Sequence, residues 1–183
     1  MATTTKLVTY EEWLNMPVVE DATEEVVNGE IRLMPPAKIT HTLVVHALRR
    51  ALERQLNEDL FYVLDTNFGL IIRRDPLTSR VPDIAVFRKS SMVVIDGYVH
   101  SAPELIVAVL SPANRYDERA EKLLHYASLG IPEFWVVSPA SRTLEVFRLV
   151  DGRFQAIAER RDGILHPQQF PEVAIDVALI WPQ

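Results

Sequence analysis

The sequence contains no cysteine among its 183 residues. This excludes disulfides, thiolate nucleophiles, zinc–thiolate sites and iron–sulfur clusters. Long apolar runs are also missing, because the longest aliphatic stretch is Leu105–Leu110, far short of the ~20 residues of a membrane-spanning helix. The N-terminal stretch Met1–Lys6 has no apolar signal core. We therefore expect a soluble, cytoplasmic protein without membrane contacts.

Several common catalytic motifs are absent as well. The sequence has no G-x-S-x-G nucleophile elbow, no phosphate-binding G-x-x-x-x-G-K, no G-x-G-x-x-G and no H-E-x-x-H. His41 and His46 are five residues apart, so they do not share a helix face and do not form a metal pair. What remains as candidate chemistry is a set of carboxylates, one histidine and one lysine.

Composition and charge describe an ordinary globular protein that is acidic overall. Hydrophobic residues make up 48% of the chain and charged residues 24%, and the net charge is −6. The length predicts a single domain over residues 1–183. Proteins that bind phosphates over their whole surface are normally basic, so any contact with nucleic acid must be local. Basic residues cluster at 49–54 and at 73–89, and each cluster alone is better explained as solvated surface.

Local signals predict a mixture of helices and strands. Thr9 and Glu12 have capping-box spacing before a short helix. Asn-Gly at 28–29 and Asp-Gly at 151–152 are strong hairpin signals. The remaining elements come from apolar periodicity and from helix-ending signals such as Gly130. We predict helices over 40–57 and 114–129, and strands over 61–72, 81–87, 104–110, 133–137, 144–150 and 154–158.

These elements predict a mixed β-sheet flanked by helices, an α/β (mixed α+β) fold. The strand–helix–strand unit from 104 to 137 is suited to a parallel crossover. If Asp96-Gly97 forms the tip between two antiparallel strands, Asp83 lies opposite about Leu110, and Ala85 opposite Ala108, with a register uncertain by a few residues.

Asp83 follows a proline that opens a predicted strand, which places this carboxylate near the end of the sheet. A carboxylate there suits Mg²⁺, although Pro-Asp alone is a common dipeptide. Lys122 could stabilise charge beside a phosphate, but Glu118 lies four residues earlier and a surface ion pair explains both residues. Glu25 heads the first hairpin, and His41 lies in the first turn of a helix. Each of these residues, taken alone, is better explained as structural.

The ordered combination of these segments resembles the Uma-type family of putative restriction endonucleases in bacteria, within the PD-(D/E)-x-K nuclease superfamily. The resemblance extends from about Thr9 to Pro139, and the set is specific although each piece is weak. The segments that carry it are Glu25–Glu30, Met34–Pro36, His41, Pro82–Val86, Val109–Pro112, Tyr116-Asp117, Lys122, Tyr126 and Gly130–Val137.

The resemblance implies a restriction-endonuclease-like sheet and a catalytic set of Asp83, Lys122, Glu25 and His41. It implies that Asp83 and Glu25 bind Mg²⁺ or Mn²⁺, and that Lys122 on a helix takes the place of the strand lysine. The sequence departs from the family pattern at position 108, where it has alanine and the family has glutamate as a main metal ligand.

Two functions follow as expectations. The first is a metal-dependent DNA endonuclease, weakened because Ala108 replaces the acidic residue. The second is a catalytically inactive nuclease-fold module that binds DNA or a protein partner. A homodimer is compatible with the first, since cleavage of a duplex needs two active centres.

Overall fold

The computed structural model describes residues 7–17, 22–65, 68–111 and 116–182. Its contacts divide the chain into two compact units, each made of three segments that alternate along the sequence. The single-domain prediction stays a prediction. The first unit comprises Met1–Pro36, Asn67–Val81 and Val93–Ser101, and the second comprises Ala37–Thr66, Pro82–Met92 and Ala102–Gln183.

The described residues form helices and strands whose bounds run as follows in chain order: α1 Tyr10–Leu14, β1 Thr23–Val27, β2 Glu30–Met34, α2 Ile39–Glu53, β3 Phe61–Asp65, β4 Leu70–Arg74, β5 Leu77–Arg80, β6 Ile84–Arg88, β7 Val94–Ile95, β8 Tyr98–Val99, β9 Leu105–Val109, α3 Tyr116–Ser128, β10 Glu133–Ser138, β11 Thr143–Val150, β12 Arg153–Arg160, β13 Ile164–Leu165 and β14 Ile175–Asp176. Two short 3₁₀ helices cover Lys89–Ser91 and Val177–Ile180. None of the described helices is both long enough and apolar enough to span a bilayer.

The first unit is a sheet of six strands in the order β2-β1-β5-β4-β8-β7. The predicted capping box is present, because the Thr9 hydroxyl accepts from the Glu12 N–H and the Glu12 carboxylate accepts from the Thr9 N–H. The first hairpin is also confirmed, with φ of 51° at Asn28 and 82° at Gly29. Aromatic and aliphatic side chains from α1 and the sheet form its core: Tyr10, Val26, Ile71 and Leu77, with Trp13 and Tyr98 packed against them.

The second unit is another six-stranded sheet, ordered β12-β11-β10-β9-β6-β3. The parallel crossover is confirmed, because β9 and β10 pair in parallel and α3 connects them. α2 packs on one side of this sheet through an apolar stripe, since Val44, Leu48 and Leu52 are fully buried in the same core as Trp135.

The C-terminal segment completes this core. Residues 164–180 form a small β13–β14 ladder and a 3₁₀ turn. The Gln55 side chain holds the segment to α2, because its amide donates to the Ala174 carbonyl and its carbonyl accepts from the Ala174 N–H. Six apolar side chains of the segment enter the core: Leu165, Phe170, Val173, Ile175, Val177 and Ile180.

Two sequence predictions about strands are wrong. The strand predicted over 61–72 is two strands, β3 and β4, which belong to different sheets, while residues 66–67 of the prediction lie outside the described part. The predicted β6–β9 register is shifted by two residues, since Ala85 pairs with Ile106 and not with Ala108. The reason is that Asp96-Gly97 closes its own short hairpin, β7–β8, so it is not the midpoint between β6 and β9.

Candidate functional site

Asp83 lies immediately before β6 and follows Pro82, in the short connection between β5 and β6. Its carboxylate makes two contacts inside the second unit. Oδ2 accepts a hydrogen bond of 2.7 Å from the Val109 N–H, and Oδ1 lies 3.0 Å from His41 Nε2. The Asp83 side chain is 18% exposed, so solvent reaches it despite both contacts.

His41 lies in the first turn of α2 and turns its ring towards Asp83. Because a carboxylate only accepts hydrogen bonds, Nε2 carries the proton in this contact. The other ring nitrogen, Nδ1, is buried and has no hydrogen-bond partner in the described residues. The pair therefore leaves one imidazole nitrogen unused next to an oriented carboxylate.

Ala108 occupies the position across from Asp83. Ile84 pairs with Val107, so the same antiparallel register, extended by one residue, brings position 83 to the level of position 108. Asp83 immediately precedes β6, and Ala108, which is 4% exposed, is the β9 residue at its level.

Lys122 lies on the same face of the sheet as Ala108. Val107 and Val109 belong to the core on the α2 side, so the intervening Ala108 points to the other side. On that side Tyr126 of α3 contacts Phe134 of β10, with ring centroids 5.1 Å apart. Lys122 precedes Tyr126 by four residues and therefore shares its helix face.

The ammonium group of Lys122 is not on the surface. Its Nζ lies 3.1 Å from Glu118 Oε1, and the two side chains are 10% and 20% exposed. The ion pair expected from the sequence is present, but it is largely buried. Lys122 thus presents a mostly desolvated positive charge on the face of the sheet that carries position 108.

Glu25 belongs to the first unit, where it is a partner of Arg80. Its Oε2 lies 2.7 Å from Arg80 Nη1, and Oε1 accepts a 3.0 Å hydrogen bond from the Val81 N–H. The two side chains are 2% and 0% exposed. This ion pair gives Glu25 a structural reason to be buried, and its predicted part in metal binding stays a prediction.

The side chains present do not complete a metal site. Mg²⁺ and Mn²⁺ prefer oxygen ligands, and no group of three or more His, Asp or Glu side chains among the described residues is placed to hold an ion. Asp83 already accepts on one oxygen and contacts His41 with the other, and Ala108 adds no ligand. Positions 83 and 108 together therefore supply one carboxylate.

Two partners in these contacts were not found by sequence reasoning. The Val109 N–H anchors Asp83, and Arg80 neutralises Glu25. The Glu118 partner of Lys122 was expected, but as part of a surface pair, and it is 20% exposed. The Val109 contact could have been found from the correct strand register. Arg80 gave no signal, because its partner is 55 residues away in the chain.

Comparisons with known proteins add the family and the fold. The model of the Uma2 family, described as putative restriction endonuclease, matches residues 9–178. No curated protein matches the sequence significantly. Among solved structures, the chain is similar to that of a putative nuclease belonging to DUF820 from Anabaena variabilis ATCC 29413, with a TM-score of 0.78, 19% identity, and coverage of 95% of this chain and 97% of that one. This likeness confirms the predicted mixed α+β fold.

Proposed function

Because this chain belongs to the Uma2 putative restriction endonuclease family, we propose that it is a DNA endonuclease whose hydrolytic centre is weakened at position 108. The observation that carries the proposal is the placement of Ala108 at the level of Asp83 on the neighbouring strand. A nuclease centre needs a second carboxylate near the first to hold divalent metal ions firmly, and this position is the one that would provide it.

The residues that remain have distinct parts in this proposal. Asp83 is held by the Val109 N–H, and its carboxylate would be a ligand for an incoming cation. Lys122 would stabilise negative charge that develops on a phosphate, because its ammonium is largely desolvated and acts in a low dielectric. His41 would orient Asp83 through Nε2. With one carboxylate, metal affinity is expected to be low, which is the physical reason for weak cleavage.

The direct test restores the missing carboxylate. Ala108→Glu should raise cleavage of supercoiled plasmid in Mn²⁺ by at least about tenfold, because loss of even outer-shell groups costs 10–100-fold in metal sites. Ala108→Gln is the matched control, with the same size but no charge, and should gain nothing. Adding Asp83→Ala to Ala108→Glu should remove the gain.

Two results would contradict the endonuclease proposal. One is a folded Ala108→Glu protein that cleaves no DNA form faster than the parent. The other needs no change at position 108: residual cleavage by the parent that Asp83→Ala leaves unaltered would show that the activity comes from elsewhere. The second measurement decides the matter if glutamate at this buried position prevents folding.

A non-catalytic DNA-binding module is the second candidate. The observation that favours it is the full engagement of Asp83, with one contact to each oxygen. Calorimetry with Mn²⁺ separates the two candidates. Metal binding that disappears in Asp83→Ala supports the endonuclease, whereas DNA binding that needs neither metal nor Asp83 supports the module.

A further inference from the structure

The first unit contains a cavity of about 320 Å³ that combines aromatic rings with a carboxylate. This volume lies within the range of small-ligand sites, ~300–1,000 Å³. Trp13, Phe68 and Tyr98 supply aromatic walls, and Ser79 adds a hydroxyl group. Glu24 is the charged residue among the described side chains that line the cavity. No contact described above for Asp83, His41 or Lys122 involves this cavity.

The aromatic wall and the carboxylate hold one another in place. The rings of Trp13 and Tyr98 pack with centroids 4.7 Å apart and planes tilted by 50°. The indole Nε1 of Trp13 donates a 2.5 Å hydrogen bond to Glu24 Oε1. A carboxylate has about four acceptor positions, so Glu24 retains capacity for further donors.

Gly69 provides the space for the Tyr98 ring. A Cβ at position 69 would lie 2.8 Å from Cδ1 of Tyr98, a separation that requires the ring to move. The ring position therefore depends on the absence of a side chain at this point of the cavity wall. The cavity is built from fixed groups of α1, β1 and β8 together with the segment around Gly69.

We propose that this cavity binds an unpaired nucleobase that carries an exocyclic amino group, with cytosine in single-stranded DNA as the test ligand. The inference rests on the proposed DNA-directed function. Aromatic side chains stack on bases, and a carboxylate accepts from the N4 amino group of cytosine but is repelled by the O4 carbonyl of thymine. The negative charge of Glu24 also keeps phosphates outside, so the base edge is the part of DNA that enters.

A cationic side chain is the main competing occupant, because aromatic rings and a carboxylate also attract cations. The ring arrangement favours the base. Trp13 and Tyr98 pack against each other with planes tilted by 50°, so these two rings do not face each other across a cation-sized gap, and each can stack on a base only singly. An aromatic cage would instead place these two rings on opposite sides of the cation.

The experiment compares fluorescein-labelled dC12 and dT12 by anisotropy with the full chain, in EDTA at pH 8. The two oligonucleotides carry equal phosphate charge and differ at pyrimidine positions 3 and 4 and in the thymine methyl. We expect the chain to bind dC12 at least about fivefold more tightly, the lower end of base discrimination by one good hydrogen-bonding side chain. Glu24→Gln should abolish the preference, because an amide also donates and can pair with thymine O4.

Matched variants separate this cavity from general electrostatics. Glu30→Gln makes the same charge change at an exposed position of β2 and should leave the preference intact. Tyr98→Ala should weaken binding of both oligonucleotides about tenfold through lost stacking, whereas Tyr98→Phe should retain it. If Tyr98→Ala does not fold, perturbation of the Trp13 indole N–H resonance by deoxycytidine, and not by thymidine, tests the cavity without a variant.

Three results would overturn the inference: equal affinity of the parent for dC12 and dT12, a preference that survives Glu24→Gln, or binding of an arginine-containing peptide that requires Glu24 while DNA shows no preference. The assay contains no metal and does not involve position 108. If the chain shows no preference for dC12 but Ala108→Glu gains cleavage, only the cavity proposal is rejected. If the chain prefers dC12 but Ala108→Glu gains no cleavage, only the endonuclease proposal is rejected.

Discussion

The two carboxylates predicted to bind metal occupy contrasting environments in their respective units. Each contacts one basic side chain and one backbone N–H. Glu25 contacts Arg80 and the Val81 N–H, with both side chains of the ion pair at most 2% exposed. Asp83 contacts His41 and the Val109 N–H, and its side chain is 18% exposed.

The two carboxylates have equal numbers of contacts but differ in burial and in the kind of side chain that they contact. Arginine is always charged, so Arg80 compensates Glu25 permanently. Asp83 instead contacts a single nitrogen of the His41 imidazole and remains in contact with solvent. The buried ion pair therefore accounts for the position of Glu25, whereas Asp83 is the carboxylate on which the proposed chemistry depends.

The largest expected effect is the loss of stability when the Glu25 carboxylate is removed. Glu25→Ala leaves Arg80 buried without this partner and should cost about 3–5 kcal/mol of unfolding free energy. Glu53→Ala, which removes an exposed pair with Arg49, is the control and should cost about 0.3–0.5 kcal/mol. Urea unfolding followed by circular dichroism measures both. A loss for Glu25→Ala within 1 kcal/mol of the control, on the scale of exposed pairs, would remove the distinction between the two carboxylates.

An intermediate loss of stability is expected when the charge of Asp83 is removed. Asp83→Asn keeps one acceptor but loses the charge, and should cost about 1–3 kcal/mol in the same assay. Asp65→Asn provides a control, because Asp65 pairs with Arg49 where both side chains are more than one-third exposed. If Asp83→Asn destabilised the protein as much as Glu25→Ala, Asp83 would be a structural residue too.

The smallest effect concerns pH and a third group, His100. Burial, and after it the charge of Arg74, lowers the pKa of His100, against an opposing contribution from Asp96. His100 also contacts the Tyr10 hydroxyl. Because the unfolded chain takes up this proton first, near pH 6.5, stability that is present above that pH falls as the solution is acidified.

The measurement is unfolding at pH 7.5 and pH 5. The parent should lose more stability between these values than His100→Gln, which does not titrate at this position. An identical loss in the two proteins would show that His100 contributes nothing to the pH dependence of stability.

Local chemistry made much of the fold predictable. The capping box at Thr9 and the hairpin at Asn28-Gly29 depend on neighbouring residues only, and both are present. The prediction of one strand over 61–72 was wrong because an apolar, β-branched run carries no signal that the chain passes from one sheet to another. The predicted β6–β9 register was shifted by two residues because the intervening residues form a separate hairpin.

The candidate site was less predictable than the fold. The family resemblance directed attention to His41 and Asp83, which the structure brings to 3.0 Å. The contacts that decide what each carboxylate does are non-local: Asp83 with the Val109 N–H, and Glu25 with Arg80. Such partners depend on strand register and burial, which no local sequence pattern encodes.

The six apolar side chains that residues 164–180 add to the core of the second unit have a consequence for biosynthesis. During translation, the α2 surface that this segment covers emerges from the ribosome long before the segment itself. That unit therefore cannot bury its whole apolar core until residues 164–180 have left the exit tunnel.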